Sequence, residues 1–387
     1  MIRPFQFGDI VLIQRLGRQA TKLNTIQSLL QPQSASWASL SALIPWNDAK
    51  VTTYVLNQQA HGLLGVGFLQ VQKRPGRPEL NIVRMAPGLD TPRGHPAIWE
   101  KLLSHHNAVA AQQHIARIYV DVPDQPLPVH TFGHVGFRAY TRQTIWRITA
   151  PGAISSSHAV AADIRPPTKL DEWPLQQLYA RTVPEEVQIA EGQHTGQAIR
   201  PPILDWWLAG VCSSYVLERR GEIVGASQLV QGRRSYWLQL WADMLDPNTT
   251  VVHRLIRHAL DVVWRRALPH PVYIGVRDYH GSLGSILSEY GFAPFTDRAK
   301  MVRHVVQWVR EPALDTTPVV EVPASVAAAH YRLPAATPPA PSSAPLPVRA
   351  AAYPPAADLA PRGMPGHGES AARLRSPDAA CLIHNTP

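Results

Sequence analysis

One pattern recurs in this chain, and whatever it folds into has to contain that pattern twice. Residues Tyr54 to Gln70 read YVLNQQAHGLLGVGFLQ, and Tyr215 to Val230 read YVLERRGEIVGASQLV. Both run Tyr-Val-Leu, a polar turn, a glycine, apolar residues and a further glycine, Gly65 in the first and Gly225 in the second. Apolar residues flanking a tight glycine-containing turn predict a β-hairpin. The segments IRPFQFGD from Ile2 and IRPPTKLD from Ile164 match in the same way, as do Gly136-Phe137 and Gly291-Phe292 further on. Marks shared at start, middle and end predict duplication of a whole domain.

A length of 387 residues suits two such domains with a core each. The expected boundaries are 1–149 for the first copy and 163–311 for the second. Between them the small and polar residues 150–162 form a linker. The 37 prolines exceed what packed structure uses, and many crowd the end of the chain. Residues 312–387, with runs such as PAATPPAPSSAPLP, have too few large apolar side chains to offset the entropy of ordering, so a disordered Pro/Ala-rich tail is expected.

The net charge of +9 points to an anionic partner such as a phosphorylated cofactor. It is scattered rather than run together, which argues against nucleic acid. Two cysteines, Cys212 and Cys381, cannot make a disulfide framework, so a reducing cytoplasm is the simple expectation. The start MIRPFQFGDI lacks the apolar core of a signal peptide, and no run of 18 apolar residues predicts a membrane span. The histidines, His105-His106 and the His253 and His258 pair included, do not join Cys or carboxylates in metal-ligand spacing, so no metal is expected.

Within the first copy the patterns predict a helix from Asp9, strands at Thr52–Asn57, Leu63–Lys73 and Leu80–Met85, and a helix opened by Pro96. A strand at Ile115–Val122, a short helix near Val129–His134 and a closing strand pair from Phe137 to Ile148 follow. The second copy repeats this, with strands at Ser214–Glu218, Ile223–Val230 and Tyr236–Met244. A helix from Val251 to Arg266, a strand at Val272–Val276, a helix at Ser282–Glu289 and a closing strand pair at Phe292–Val309 complete it. GLLGVG, Gly62 to Gly67, lies inside a strand pattern and reads as packing rather than as a phosphate loop.

This order, with the Ile-Arg-Pro starts, Asp9 and Asp171, the two hairpins and the Gly-Phe pairs, resembles the GNAT superfamily of acyl-CoA-dependent N-acyltransferases in tandem, over roughly residues 1–310. The resemblance implies an α+β fold: two mostly antiparallel mixed sheets flanked by helices, whose fourth and fifth strands splay apart. Acyl-CoA, acetyl-CoA or another thioester, enters that gap. Its pantetheine arm bonds the fourth strand's exposed backbone, and N–H groups at the next helix start hold the pyrophosphate. The acceptor is a small-molecule or peptide amine.

The family's phosphate loop, a Gln or Arg followed by two spaced glycines, is missing from both copies. In MAPGLDTPRGHPAIW the first copy keeps Met85, Ala86, Gly88, Arg93, Gly94 and His95 as cofactor-binding candidates. In DMLDPNTTVVHRL the second has no glycine, and Asp243 and Asp246 would repel a pyrophosphate. Where the family often carries a thiolate-protonating tyrosine, this chain has Phe132 and Leu287, with Tyr279 and Tyr290 as nearby phenols. Asp243, Asp278 and Asp121 are the carboxylates expected near the splay as candidate general bases. The alternative is a duplicated fold that has lost catalysis and binds a ligand or protein.

Overall fold

The structure is a computed structural model that describes residues 1–41, 51–60, 63–74, 76–149, 163–192, 211–244, 246, 248–266 and 270–305. The linker 150–162 and the tail expectation, which begins at 312, lie outside the described residues.

In the first half, β1 (Ile2–Pro4) leads through a 3-10 turn to α1 (Ile10–Gly17), β2 (Thr21–Lys22), α2 (Thr25–Leu30) and α3 (Ala35–Ser41). Then come β3 (Val51–Ala60), β4 (Leu63–Lys73), β5 (Glu79–Ala86), α4 (Pro96–Gln112), β6 (Arg117–Pro123), α5 (Pro126–His134) and β7 (Arg138–Ile148). The second half repeats the plan with β8 (Ile164–Arg165), α6 (Glu172–Thr182), α7 (Glu185–Ala190), β9 (Val211–Arg219), β10 (Glu222–Gln231) and β11 (Tyr236–Ala242). It ends with α8 (Thr250–Arg265), β12 (Val272–Arg277), α9 (Leu283–Glu289) and β13 (Ala293–His304).

The repeated Ile-Arg-Pro starts have a structural explanation. Arg3 donates to both oxygens of Asp9 at 2.6 and 2.7 Å, and Arg165 does the same to Asp171 at 2.7 and 2.9 Å. Each aspartate also accepts the N–H three residues back, from Gln6 and Thr168, closing the turn that starts the first helix. The guanidinium holds the Asp171 carboxyl well below the usual carboxylate range.

Both predicted hairpins form, as β3 with β4 and β9 with β10. The glycine equivalent to Gly225 by its role is Gly67 rather than Gly65. A Cβ at Gly225 would strike Val251 and Leu255 of α8, and one at Gly67 would strike Ile98 of α4 and the Ala86 carbonyl. Each glycine lets the long helix lie close on the sheet.

The predicted closing strand pairs are single long strands. Arg138–Ile148 contains no Gly, Pro, Asn or Asp to turn on, and Pro294 of β13 is absorbed by a bulge before Thr296. Strand order runs β1-β3-β4-β5-β6-β13-β7-β12-β11-β10-β9-β8, with β2 paired to β5 off this path. The last strands are therefore exchanged. β13 of the second half pairs with β6 of the first, from Arg298↔Pro123 to His304↔Arg117, while β7 of the first half pairs with β12 of the second. One continuous sheet results, with α4, α5, α8 and α9 packed on one face and α1, α3, α6 and α7 on the other.

Candidate functional site

Each half contains a parallel pair that separates after three registered residues. In the first half β5 and β6 pair through Glu79↔Arg117, Leu80↔Ile118 and Asn81↔Tyr119. Beyond Asn81 the chain's own β2 fills the gap. Thr21 pairs with Met85 and Lys22 with Arg84; Leu23 N–H donates to Val83 at 2.9 Å, and Asp121 N–H donates to Leu23 at 3.0 Å. The backbone edge that the resemblance reserves for a ligand is thus already paired.

The helix start beside it is satisfied internally as well. Gly88 N–H donates to Gln19 at 2.6 Å, Thr91 N–H to Gly88 at 3.0 Å and Gly94 N–H to Thr91 at 2.8 Å. His95 caps α4 by accepting from Ala97 N–H at 3.2 Å. A Cβ at Gly94 would collide with Gly88, so this glycine serves the closure of its own loop. Arg93 is exposed, and Met85 and Ala86 are fully buried. Asp121 is buried, accepts Thr25 N–H at 3.3 Å, and its other carboxylate oxygen has no hydrogen-bond partner among the described residues.

In the second half β11 and β12 pair through Tyr236↔Val272, Trp237↔Tyr273 and Leu238↔Ile274. Past Leu238, β11 keeps β10 on one edge, from Gln239↔Gln228 to Ala242↔Gly225. No described strand covers the other edge. A cleft opens there, with Gln239 to Ala242 along one wall and Arg277, Tyr279, His280 and Leu283 along the other. Glu191 and Tyr179 also line it, and Ile26, Gln143 and Lys300 reach it because of α2 and the exchanged strands.

The cleft is polar and ordered by Arg277. Its guanidinium donates to Glu191 at 2.8 Å and to the Tyr279 hydroxyl at 2.8 Å, while Tyr179 donates its phenol proton to Glu191 at 2.9 Å. Burial alone would push the Glu191 carboxyl up, but Arg277, Lys300 and Tyr179 together hold it below its ordinary value. Arg277 N–H donates to His280 Nδ1 at 3.2 Å, which places the ring proton on Nε2. Burial and the neighbouring Arg277 push that imidazole down to about 3, so it is neutral at pH 7. Burial raises the Tyr279 phenol, which stays protonated. Lys300 is shifted down, by burial first and then by Arg277.

The remaining sequence candidates divide. Asp243 follows β11 at the mouth of the cleft and is exposed. Asp278 accepts from the Thr141 hydroxyl at 2.6 Å and from Arg142 N–H at 3.1 Å, so its carboxylate ties the loop after β12 to β7. Tyr290 is bound to His253 at 2.9 Å and Arg257 at 3.1 Å, and Tyr279 is the phenol that faces the cleft. At the start of α8, Asp246 accepts from Asn248 N–H at 2.8 Å, and Asn248 accepts from Thr250 N–H at 3.2 Å. Glu191, Arg277, Lys300 and Gln143 carry no motif that singles them out, although a charged residue ending an apolar strand, as in VYIGVR, is a usable signal.

Among the described residues no group of three His, Cys, Asp or Glu could hold a metal, and no helix is long and apolar enough to cross a membrane.

No family model matches the sequence, and no curated protein matches it. Solved structures do. A GCN5-related N-acetyltransferase from Sphaerobacter thermophilus is 12% identical, covering 80% of this chain and 96% of its own, with a TM-score of 0.47. A tandem GNAT protein from the clavulanic acid biosynthesis pathway is 12% identical over 79% of this chain and 99% of its own, at 0.46. A GNAT-family acetyltransferase from Colwellia psychrerythraea is 8% identical over 79% and 99%, at 0.38. This chain is thus similar to GNAT acetyltransferases, one of them tandem, at low identity and TM-scores below 0.5.

Proposed function

We propose that the chain is a tandem acyl-CoA-dependent N-acyltransferase, with copies at 1–149 and 163–311, whose donor site is the β11–β12 cleft of the second copy. The observation that carries this reading is the edge of β11 at Gln239–Ala242, which no described strand covers, set against the β5 edge that β2 occupies. Unpaired strand edges bind extended amide-bearing ligands by adding to the sheet, and a pantetheine arm is such a ligand. An acyl-CoA supplies a thioester whose acyl group an amine can take. Within the cleft Tyr279 holds a proton at its hydroxyl, suited to a departing thiolate, in the role the family gives to a different position. Asp243, at the mouth, is the carboxylate left to take the amine proton through water. Met85, Ala86, Gly88, Arg93, Gly94 and His95 become structural in this reading, because their loop is closed on itself.

A second reading, a binding module without catalysis, has one specific observation in its favour: both long helices begin on amides capped by their own side chains. Calorimetry with acetyl-CoA, followed by thiol release in the presence of an amine panel, separates the two. Saturable binding with release that falls at least tenfold in Tyr279→Phe supports the enzyme. Binding without release supports the module, and absence of binding up to about millimolar acetyl-CoA rejects both uses of the cleft.

A further inference from the structure

Two protons in the open cleft owe their placement to one residue. The sequence Asp278-Tyr279-His280 follows β12, and His280 N–H donates to the Arg277 carbonyl at 2.9 Å. That closes a turn which sets the Tyr279 and His280 rings edge to face, with centroids 4.7 Å apart. Asp278 anchors the turn to β7 through Thr141 and Arg142, so both rings stand on a tethered loop. Both line the cleft, across from Gln239–Ala242, and both are half-buried.

Arg277 occupies the acceptor atom of each ring. Its guanidinium, which can only donate, takes the Tyr279 oxygen at 2.8 Å, and its backbone N–H takes His280 Nδ1 at 3.2 Å. The phenol proton and the Nε2 proton are therefore left to donate, and neither has an acceptor among the described residues. Tyr279 has a use in the acyltransferase reading; the Nε2 proton of His280 has none. A neutral imidazole can hold a developing negative oxygen while keeping its own proton. His280 meets that condition, because burial and then Arg277 keep the ring neutral at pH 7, although Asp278 and Glu191 pull the other way. Sulfur and oxygen sit on the same thioester carbon, and donors on two adjacent residues suit them.

We propose that His280 is a catalytic residue whose Nε2–H hydrogen-bonds the thioester carbonyl oxygen as that oxygen gains negative charge. The assignment rests on the acyltransferase reading above. The amine nitrogen bonds to the carbonyl carbon, and the C=O electron pair moves onto oxygen, where Nε2–H holds it without giving up its proton. When that pair returns, the C–S bond breaks and sulfur takes the Tyr279 proton. The surplus proton of the amine leaves through water and Asp243, and replaces the one lost from the phenol.

The test uses the full chain. Nitrogen-15 NMR of labelled histidine, with the His280 signal assigned by its loss in His280→Gln, should show the proton on Nε2 alone at pH 7. That proton should move downfield as acetyl-CoA is titrated in. In thiol-release assays His280→Leu should lower kcat about 100-fold while acetyl-CoA affinity stays within about threefold. His280→Gln, whose side-chain amide can accept from Arg277 N–H and still donate, should recover about tenfold of that loss. A ring protonated on Nδ1 or on both nitrogens, an Nε2 proton indifferent to bound acetyl-CoA, or a kcat within about twofold in His280→Leu overturns the assignment alone. Equal losses in both variants, accompanied by weakened acetyl-CoA binding, mark a packing role and overturn it too. The NMR outcomes on the unmodified chain decide the matter if His280→Leu does not fold. No binding of acetyl-CoA, or binding without thiol release, overturns the acyltransferase reading and the assignment with it.

Discussion

Arg277, the last residue of β12, reaches Glu191 beyond the end of α7 with a 2.8 Å contact between two side chains that are 13% and 12% exposed. This pair fastens one wall of the open cleft to the helical layer above it. A buried pair is worth little compared with an apolar replacement, but losing one partner strands the other charge. Arg277→Met should therefore lower stability by about 3–5 kcal/mol, and Arg277→Met with Glu191→Leu should recover most of that loss. Urea denaturation of the wild type and the variants measures both differences.

The pH dependence follows from buried histidines. His106 on α4 is 1% exposed, neither ring nitrogen has a hydrogen-bond partner among the described residues, and burial followed by the neighbouring His105 pushes it down to about 4. His280 is depressed too, to about 3. The unfolded chain takes up these protons near pH 6.5 and the folded chain does not, so acid favours unfolding. The stability from His106 is complete above 6.5 and is lost as pH falls toward 4, at about 1.4 kcal/mol per pH unit. Carboxylates contribute little over most of that window. Equilibrium unfolding between pH 7 and 4.5 should show the slope, and His106→Leu should flatten it; an unchanged slope would assign the protons elsewhere.

The strand exchange predicts that neither half folds alone as a monomer. A fragment of residues 1–149 ends in β7 with its partner strands β12 and β13 absent, and its β6 loses the pairing from Pro123 to Arg117. Long unpaired edges recruit other chains. The fragment should be aggregated or swapped in light scattering, and mixing it with residues 163–311 should give a one-to-one complex with dispersed amide resonances. A folded monomer of either half would show that the exchange is dispensable.

The hairpins, the long helices and the repeat itself are legible in the sequence because local period and turn chemistry fix them, as in YVLERRGEIVGASQLV. The exchange is not, because β7 and β13 carry the same alternation whether they pair with their own half or with the other. The site divides in the same way. Asp243 and Tyr279 can be picked out from their positions after strands. The filling of the first gap depends on a two-residue strand, Thr21–Lys22, that no periodicity marks, and Gly94 resembles a phosphate-loop glycine although its N–H turns back to Thr91.

Charge at the two helix starts gives a direct comparison of the gaps. In the first half the amides of Gly88 and Gly94 are committed to Gln19 and Thr91, and exposed Arg93 sits beside a closed loop, so Arg93→Glu should leave acetyl-CoA affinity within about twofold. In the second half Asp246 lies before α8, near the end of the open β11 edge, where its negative charge opposes a pyrophosphate. Asp246→Lys removes that repulsion at the loss of one exposed hydrogen bond to Asn248, and should tighten acetyl-CoA binding by about three- to tenfold at low salt. The gain should shrink as ionic strength rises, because the site is near solvent. Calorimetry on the two variants at two salt concentrations reads this out. A protein weakened by Arg93→Glu and indifferent to Asp246→Lys would return the donor to the first half, where β2 would have to leave the sheet to admit it.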